Sequence, residues 1–206
     1  DIMKRIIAAE TLIPYRKIDI NKMDSTQRAV FNDAAEYYAT TQLAIFDQPS
    51  PTIAEMQQQL HSVGMRYGGL DLVVVDYLQL MGSYKADANR VQEISQLSRF
   101  LKDLAMSEDC PVIAVSQLNR MLESSTNKRP SLSHLRESGQ IEQDADVVIL
   151  MYRDDYYETQ RHTGVHREYN PSCELNVAKN RRGRVDTVYC EFFPETMTFT
   201  QQEPKF

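Results

Sequence analysis

Two runs of apolar, mostly β-branched residues, each closing on a polar side chain and separated by a helix-length stretch, constrain this chain more than any other feature. The first, LDLVVV at 70–75, stops at Asp76; the second, VIAV at 112–115, follows Pro111 and stops at Ser116 and Gln117. Between them Val91, Ile94, Leu97, Leu101, Leu104 and Ala105 recur at the spacing of one helix face. Strands without clean inside–outside alternation are expected to be covered on both faces, as in a parallel sheet. Strand, helix and strand of these lengths predict a βαβ unit with a right-handed connection. A third run, VVILMY at 147–152, ends at Arg153 and predicts a further core strand. With 206 residues, 42% hydrophobic and 25% charged, the chain suits one domain and is short for two. The expected class is α/β, a mainly parallel sheet flanked by helices.

Around this unit, residues 1–46 read as helical, with Ile6, Ile7, Met23, Val30, Phe31, Ala34 and Ala35 favouring one face. The run LAIF at 43–46, closed by Asp47, Pro49 and Pro51, predicts a strand and then a turn. TIAE at 52–55 is a capping-box pattern that starts a helix with Ile53, Met56, Leu60 and Val63 as its buried stripe. Gly64, Gly68 and Gly69 are placed to end it. Residues 174–179 and 185–193 predict two strands around 180–184, a hairpin with Gly183 in its turn. The tyrosine- and histidine-rich segment 154–172 reads as loop. Ile2, Ile6 and Ile7 beside Lys4 and Arg5 look like the flank of an amphipathic helix, so a chain beginning inside a larger fold is expected.

Lys and Arg number 23 against 29 Asp and Glu, a net charge of −6, which excludes a general attraction to polyanions; any nucleic-acid contact must be local. Cys110, Cys173 and Cys190 show no CxxC spacing, which speaks against a disulfide scaffold or zinc knuckle and for reduced, buried thiols. No apolar run reaches the length of a membrane span and Asp1 opens no signal peptide, so a cytoplasmic protein with no membrane partner is expected.

A carboxylate directly after a buried strand, as at Asp76, lies at the C-terminal edge of a parallel sheet, where open α/β folds bind ligands. In P-loop NTPases such a residue holds the magnesium that bridges the β- and γ-phosphates. Gln117 ends the neighbouring strand about one βαβ repeat later, so both polar side chains are expected at one edge. An amide there can sense a γ-phosphate or orient a water; it can equally cap a strand end. Lys179, Arg181, Arg182 and Arg184 cluster on the hairpin of an otherwise acidic chain. They read either as a solvated basic turn or as cations offered to a phosphate, including one held by a neighbouring subunit. In LSHLRESGQIEQDAD (132–146), composition gives a polar helix-turn-helix with Gly139 ending a helix and Glu142, Asp144 and Asp146 on an exposed acidic face. His162 and His166 are four apart but lack the glutamate of HExxH, so no metal site is assigned to them.

Taken together, LVVVDYLQLM (72–81), AVSQLNR (114–120), KRPSLSHLRESGQIEQDADVVILMYRDDYY (128–157) and AKNRRGRVDTV (178–188) resemble the bacterial and phage replicative DNA helicases of the DnaB type. The resemblance runs over nearly the whole chain in order, and LRESG-IEQDAD is its most specific part. It implies an incomplete RecA-like motor domain over 1–206, with a Walker B strand at 70–76, a sensor strand at 112–117, a DNA-binding loop region at 132–146 and a finger hairpin at 174–193. By the same resemblance Asp76 is the magnesium ligand, and Gln117 couples nucleotide state to DNA contact. Arg136, Glu137 and Gly139 face a central channel and hold the backbone of single-stranded DNA. Lys179 and Arg181 reach into a neighbour's ATP site. ATP and Mg2+ are the implied ligands, and a homo-hexamer, single-stranded DNA, a primase and a helicase loader the implied partners.

Several positions depart from the family pattern. Arg182 and Arg184 stand where a neutral residue and a proline are usual, Asp186 where a glycine is, and His134 where an aspartate is common. No G-x-x-x-x-G-K-[ST] occurs in the chain, so the backbone cradle and lysine that grip phosphates are not among its residues. The expectation is that this chain alone does not hydrolyse ATP, whereas the complete helicase does. Two alternatives stand beside it. Another RecA-like ATPase would lack LRESG-IEQDAD, and a non-enzymatic or degenerate helicase-subunit module would lack a phosphate-binding loop upstream of Asp1 as well.

Overall fold

In chain order the elements are α1 (Ile2–Thr11), α2 (Ser25–Thr40), α3 (Ile53–Tyr67), β1 (Val73–Val75), α4 (Arg90–Ser107), β2 (Val112–Ala114), α5 (Met121–Ser124), α6 (Gly139–Asp144), β3 (Val147–Arg153), β4 (Ser172–Asn180), β5 (Thr187–Phe193) and β6 (Thr198–Gln201). Short 3-10 turns form at Tyr15–Lys17, Leu78–Leu80 and Leu132–Ser138. The structure is a computed structural model that describes residues 1–19, 21–81, 90–119, 121–125, 127–153 and 172–201. His162, His166 and nearly all of the loop expected over 154–172 lie outside the described residues. Among the described residues no helix is long and apolar enough to cross a membrane.

Two units divide the chain. The larger in its contribution to the candidate site comprises Ala44–Leu150 and Val177–Asp186. Its first helix, α3, is fixed at both ends as its sequence requires. Glu55 N donates to Thr52 Oγ1 at 3.3 Å and Thr52 N donates back to Glu55 Oε2 at 2.7 Å, the reciprocal capping box. Gly68 takes a positive φ of 84° and donates its N–H to Gly64 O at 2.8 Å, ending the helix as a left-handed residue. The apolar periodicity of α3 and α4 then becomes one core: Met56, Leu97, Leu101 and Leu104 pack with Val73 and Val75 of β1, Leu78 and Cys110. Burying each of the larger side chains stabilises the unit by about 1.5–3 kcal/mol as an upper estimate.

β1 pairs parallel to β2 in the register Val73↔Val112, Val74↔Ile113 and Val75↔Ala114, the βαβ pairing that the sequence predicts. Coverage on both faces is not found. Val73 and Val75 are buried, whereas Val74 is 58% and its partner Ile113 53% exposed. The helices α3 and α4 bury one face only, and among the described residues nothing covers the other. A second core of this unit gathers Leu135, Val148 and Leu150, with Leu118, Leu132, Ala145 and Ala178 against it.

The other unit comprises Asp1–Leu43, Met151–Asn176 and Thr187–Phe206. In it Ile7, Ala8, Ile13, Ile18 and Met23 form a core against which Phe31, Ala34, Ala35 and Tyr38 of α2 pack. Asp24 caps α2 by accepting from Gln27 N at 2.8 Å. β5 is antiparallel to both β4 and β6, with Cys173 opposite Cys190 and Phe192 opposite Phe199. All three cysteines are buried and free of disulfides. β6 is not predicted by the sequence pattern; its Phe199 ring lies 4.7 Å from Phe192 and closes the edge of β5. The strands are ordered β1-β2 in one sheet and β3-β4-β5-β6 in the other.

One predicted strand fails. Residues 43–46 form no strand, and Leu43, Ile45 and Phe46 are each more than two-fifths exposed. An apolar run becomes a strand only when a neighbour supplies the ladder that satisfies its backbone, and no described strand pairs with this one.

Candidate functional site

Parallel pairing brings the C-terminal ends of β1 and β2 to one edge. Val115 N donates to Val75 O at 2.9 Å, and Leu78 N donates to Val115 O at 2.9 Å, so the ladder continues past both strands. Asp76 follows β1 directly and Gln117 lies three residues beyond β2, both exposed at this rim. Among the described residues no hydrogen bond or ion pair engages the Asp76 carboxylate. The rim is tied by Gln79, which nothing in the sequence pattern singles out beyond its being a polar residue between Leu78 and Leu80. Its Nε2 donates to Ser116 Oγ at 3.0 Å and to Gln117 O at 3.2 Å, and its Oε1 accepts from Gln117 N at 3.0 Å. The backbone of Gln117 is therefore held on both its polar atoms while its side chain stays exposed.

Beyond the rim, the chain runs straight into the acidic motif. Leu118 packs into the core that holds Leu132 and Leu135, and Asn119 N donates to His134 O at 3.0 Å. His134 performs a capping role: its Nδ1 accepts from Ser131 N at 2.9 Å and lies 2.9 Å from Ser131 Oγ. Arg136 and Glu137 fall in the 3-10 turn Leu132–Ser138. Gly139 ends the 3-10 turn, as expected of a helix-ending residue, but at φ −50°, ψ −21° rather than in the left-handed region, and it opens α6 directly. A Cβ built there would meet nothing within 4 Å, so neither conformation nor packing requires glycine at this position.

Of the acidic face expected of this segment, Asp146 is exposed, whereas Glu142 and Asp144 are half-buried. Asp144 accepts from the buried Ser98 hydroxyl at 2.8 Å and from Gln140 Nε2 at 2.7 Å. Asp146 accepts from Lys102 Nζ on one oxygen at 2.6 Å and from Arg181 Nη1 on the other at 3.2 Å. Ser98 and Lys102 are one helical turn apart on α4, so a single face of that helix carries both carboxylates. The Lys102 hydrogen bond, with the charges of Lys102, Arg181 and Arg182 added, holds the Asp146 carboxyl below the usual range against a smaller opposing effect of burial.

On the hairpin, Lys179 and Arg181 engage α6 and Asp146 rather than Asp76 or Gln117. Lys179 Nζ donates to Glu142 O and, at 3.4 Å, to Gln143 O. Arg181 Nη2 donates to Gln143 O, and its backbone N donates to Asp146 O at 2.9 Å. The last carbonyls of a helix have no partner within it, and cations are favoured there by the helix dipole, so these contacts are what the chemistry of α6 demands. Asn180 shapes the turn by accepting from Arg182 N at 3.2 Å and donating to Arg184 O at 3.2 Å. A Cβ on Gly183 would come within 2.6 Å of Asn180 Nδ2, so a larger residue there would displace the Asn180 amide from the turn. Arg182 and Arg184 are exposed.

The rim suits a magnesium ion held mostly by something other than protein. Among the described residues no three His, Cys, Asp or Glu side chains converge. Magnesium commonly takes one or two carboxylates and completes its octahedron with water and substrate phosphates, so a single exposed carboxylate at the end of a parallel strand fits it. A polar rim at the C-terminal ends of parallel strands lies where open α/β folds bind ligands, and the fold here is that of a RecA-like domain. Two solved structures share the fold. A DnaB-like replicative helicase, studied with its interactions with primase, has a TM-score of 0.85 at 36% identity, covering 98% of this chain and 47% of that one. A second solved structure, that of an ATPase domain, likewise has a TM-score of 0.85 at 36% identity, covering 98% of this chain and 70% of that one.

Residues 1–201 match the family model of the DnaB-like helicase C terminal domain, and the chain belongs to that family. It is 36% identical to the replicative DNA helicase DnaB of Geobacillus stearothermophilus over all of this chain and 44% of the relative. It is 40% identical to that of Leifsonia xyli subsp. xyli over 99% of this chain and 43% of the relative. The chain thus spans less than half the length of these curated relatives.

Proposed function

We propose that in the complete protein this chain is the larger part of the motor domain of a subunit that hydrolyses ATP in a ring of six, translocates on single-stranded DNA and opens the duplex at a replication fork. The observation that carries this reading is the continuous path from rim to loop. Gln79 holds the Gln117 backbone, and two residues later Asn119 N donates to His134 O. In this reading a change in what Gln117 meets at the rim would reach the segment containing Arg136, Glu137 and Gly139 along this path.

In this reading Asp76 holds the magnesium directly or through water, and the ion neutralises charge on the nucleotide phosphates. The Gln117 amide reports the terminal phosphate. Arg136, Glu137 and Gly139 hold the DNA backbone, partly through main-chain amides, and Gly139 is exposed with open space on its Cβ side. Such local contact is how a chain of net charge −6 binds a polyanion. Lys179 and Arg181 act across a head-to-tail interface that closes into a ring. A cation supplied in this way contributes roughly 10³ to 10⁵ in rate in related NTPases, about 4 to 7 kcal/mol of barrier. The chain by itself, with no G-x-x-x-x-G-K-[ST], does not turn over ATP. A primase is proposed as partner of the complete protein, from the solved relative studied with one.

The test is Gln117→Ala in the full-length protein. ATP turnover without DNA should persist while its stimulation by single-stranded DNA is lost. Equal stimulation in variant and wild type would remove the coupling role. In parallel, Arg136→Ala should weaken single-strand binding and lower the slope of affinity against salt by somewhat less than one phosphate contact. Unchanged affinity and slope would remove the loop from the DNA interface.

A further inference from the structure

Asp146 joins α4 to the hairpin. Its Oδ2 accepts from Lys102 of α4, its Oδ1 from the Arg181 guanidinium, and its main-chain oxygen from Arg181 N. The side chains of Asp146 and Arg181 are 56% and 47% exposed, so as a stabilising ion pair this contact is worth little. Its geometry says more than its energy. A guanidinium carries donors on a rigid planar fork. With Nη1 on Asp146 and Nη2 on Gln143 O, the plane of that fork is fixed on one edge while other N–H donors remain for a second ligand. Lys102, at 28% exposure the most covered of the three, in turn fixes the carboxylate.

We propose that Asp146, anchored by Lys102, is a positioning residue for Arg181, so that the cation is tied to α4 and the end of α6 rather than to the turn of its own hairpin. This rests on the reading of Arg181 as a phosphate-facing cation and deepens it. DNA held by the segment 132–139 would bear on the orientation of Arg181 through α6, without any contact between DNA and hairpin. Lys102 does not touch the phosphate; it acts only through Asp146.

The experiment measures ATP turnover, with and without single-stranded DNA, in full-length Asp146→Asn, Asp146→Glu, Lys102→Met, the Asp146→Asn/Lys102→Met double variant and Arg181→Ala, each first shown to form the wild-type assembly. Misplacing a group by about 1 Å costs up to roughly 100-fold, so Asp146→Asn should lower kcat about 10- to 100-fold with KM for ATP little changed. Asp146→Glu should restore part of the loss. Lys102→Met should cause a smaller loss by itself and no further loss in the Asp146→Asn background, because two residues on one path are not additive. Wild-type kcat in Asp146→Asn beside an inactive Arg181→Ala overturns the positioning role and leaves the finger reading standing. Wild-type kcat in Arg181→Ala overturns both. Should Asp146→Asn fail to assemble, Lys102→Met decides: a reduced kcat supports the proposal and an unchanged kcat overturns it.

Discussion

The rim and the hairpin corner lie in the same unit and present opposite states of readiness. At the rim, Asp76 and Gln117 are exposed side chains on a backbone tied down by the parallel ladder and by Gln79. At the corner, Lys179 and Arg181 are already engaged, on α6 carbonyls and on Asp146. The rim is a fixed frame awaiting a ligand, whereas the corner is a set of cations whose orientation is borrowed from a neighbouring helix. A ligand at the first needs only to arrive. One at the second must share or displace partners that the protein already supplies.

The strongest way to break this contrast is Arg181→Ala in the full-length protein. If the corner serves a phosphate, kcat should fall roughly 10³- to 10⁵-fold with nucleotide binding retained. Turnover within a few-fold of wild type would make the corner a structural clasp only. Gln79→Ala probes the rim instead. Loss of its three hydrogen bonds to Ser116 and Gln117, each worth about 0.5–1.5 kcal/mol net, should lower unfolding free energy by about 1.5–4.5 kcal/mol in denaturant titration and raise KM for ATP while the hairpin contacts survive. Unchanged stability together with unchanged KM would mean that the ladder alone frames the rim.

Gly139→Ala separates fold from ligand at the start of α6. The position is right-handed and open, so alanine should leave stability unchanged or raise it by about 0.4–1 kcal/mol. Single-strand binding should nevertheless weaken, since the new methyl stands where a phosphate would approach. Stability gained with affinity intact would take Gly139 out of the interface. The smallest effect is one of pH. Because the Asp146 carboxyl titrates below its ordinary range, its contribution is fully present above the unfolded carboxylate pKa and is lost as pH falls through the lower folded value. Acid titration of stability should therefore show a slightly steeper loss at the acid end in wild type than in Asp146→Asn. Superimposable curves would mean that Lys102 and Arg181 do not bias the folded state.

How much of this was legible in the sequence differs by region for a physical reason. The capping box at Thr52, the stripes of α3 and α4, the two parallel strands and the hairpin are local or short-period signals, and each formed where its residues lie. Residues 43–46 carry the same apolar signal as a strand and form none, since a ladder depends on a partner that composition does not name. The acidic residues at 142–146 read as solvated because charge is ordinarily exposed. Only the placement of Ser98 and Lys102 one turn apart beside them shows what Asp144 and Asp146 meet. Gln79 is silent for the same reason, its partners being thirty-seven and thirty-eight residues away.

By itself, then, the order of residues determined the α/β class, the strand–helix–strand unit that brings Asp76 and Gln117 to one edge, and the family, because these follow from periodicity, caps and contiguous motifs. Tertiary structure alone decided that Gln79 clamps the rim, that His134 serves as a cap, and that one carboxylate joins α4 to the hairpin. Those choices depend on pairs of side chains distant along the chain, and their energies exist only once the cores that bring them together have formed.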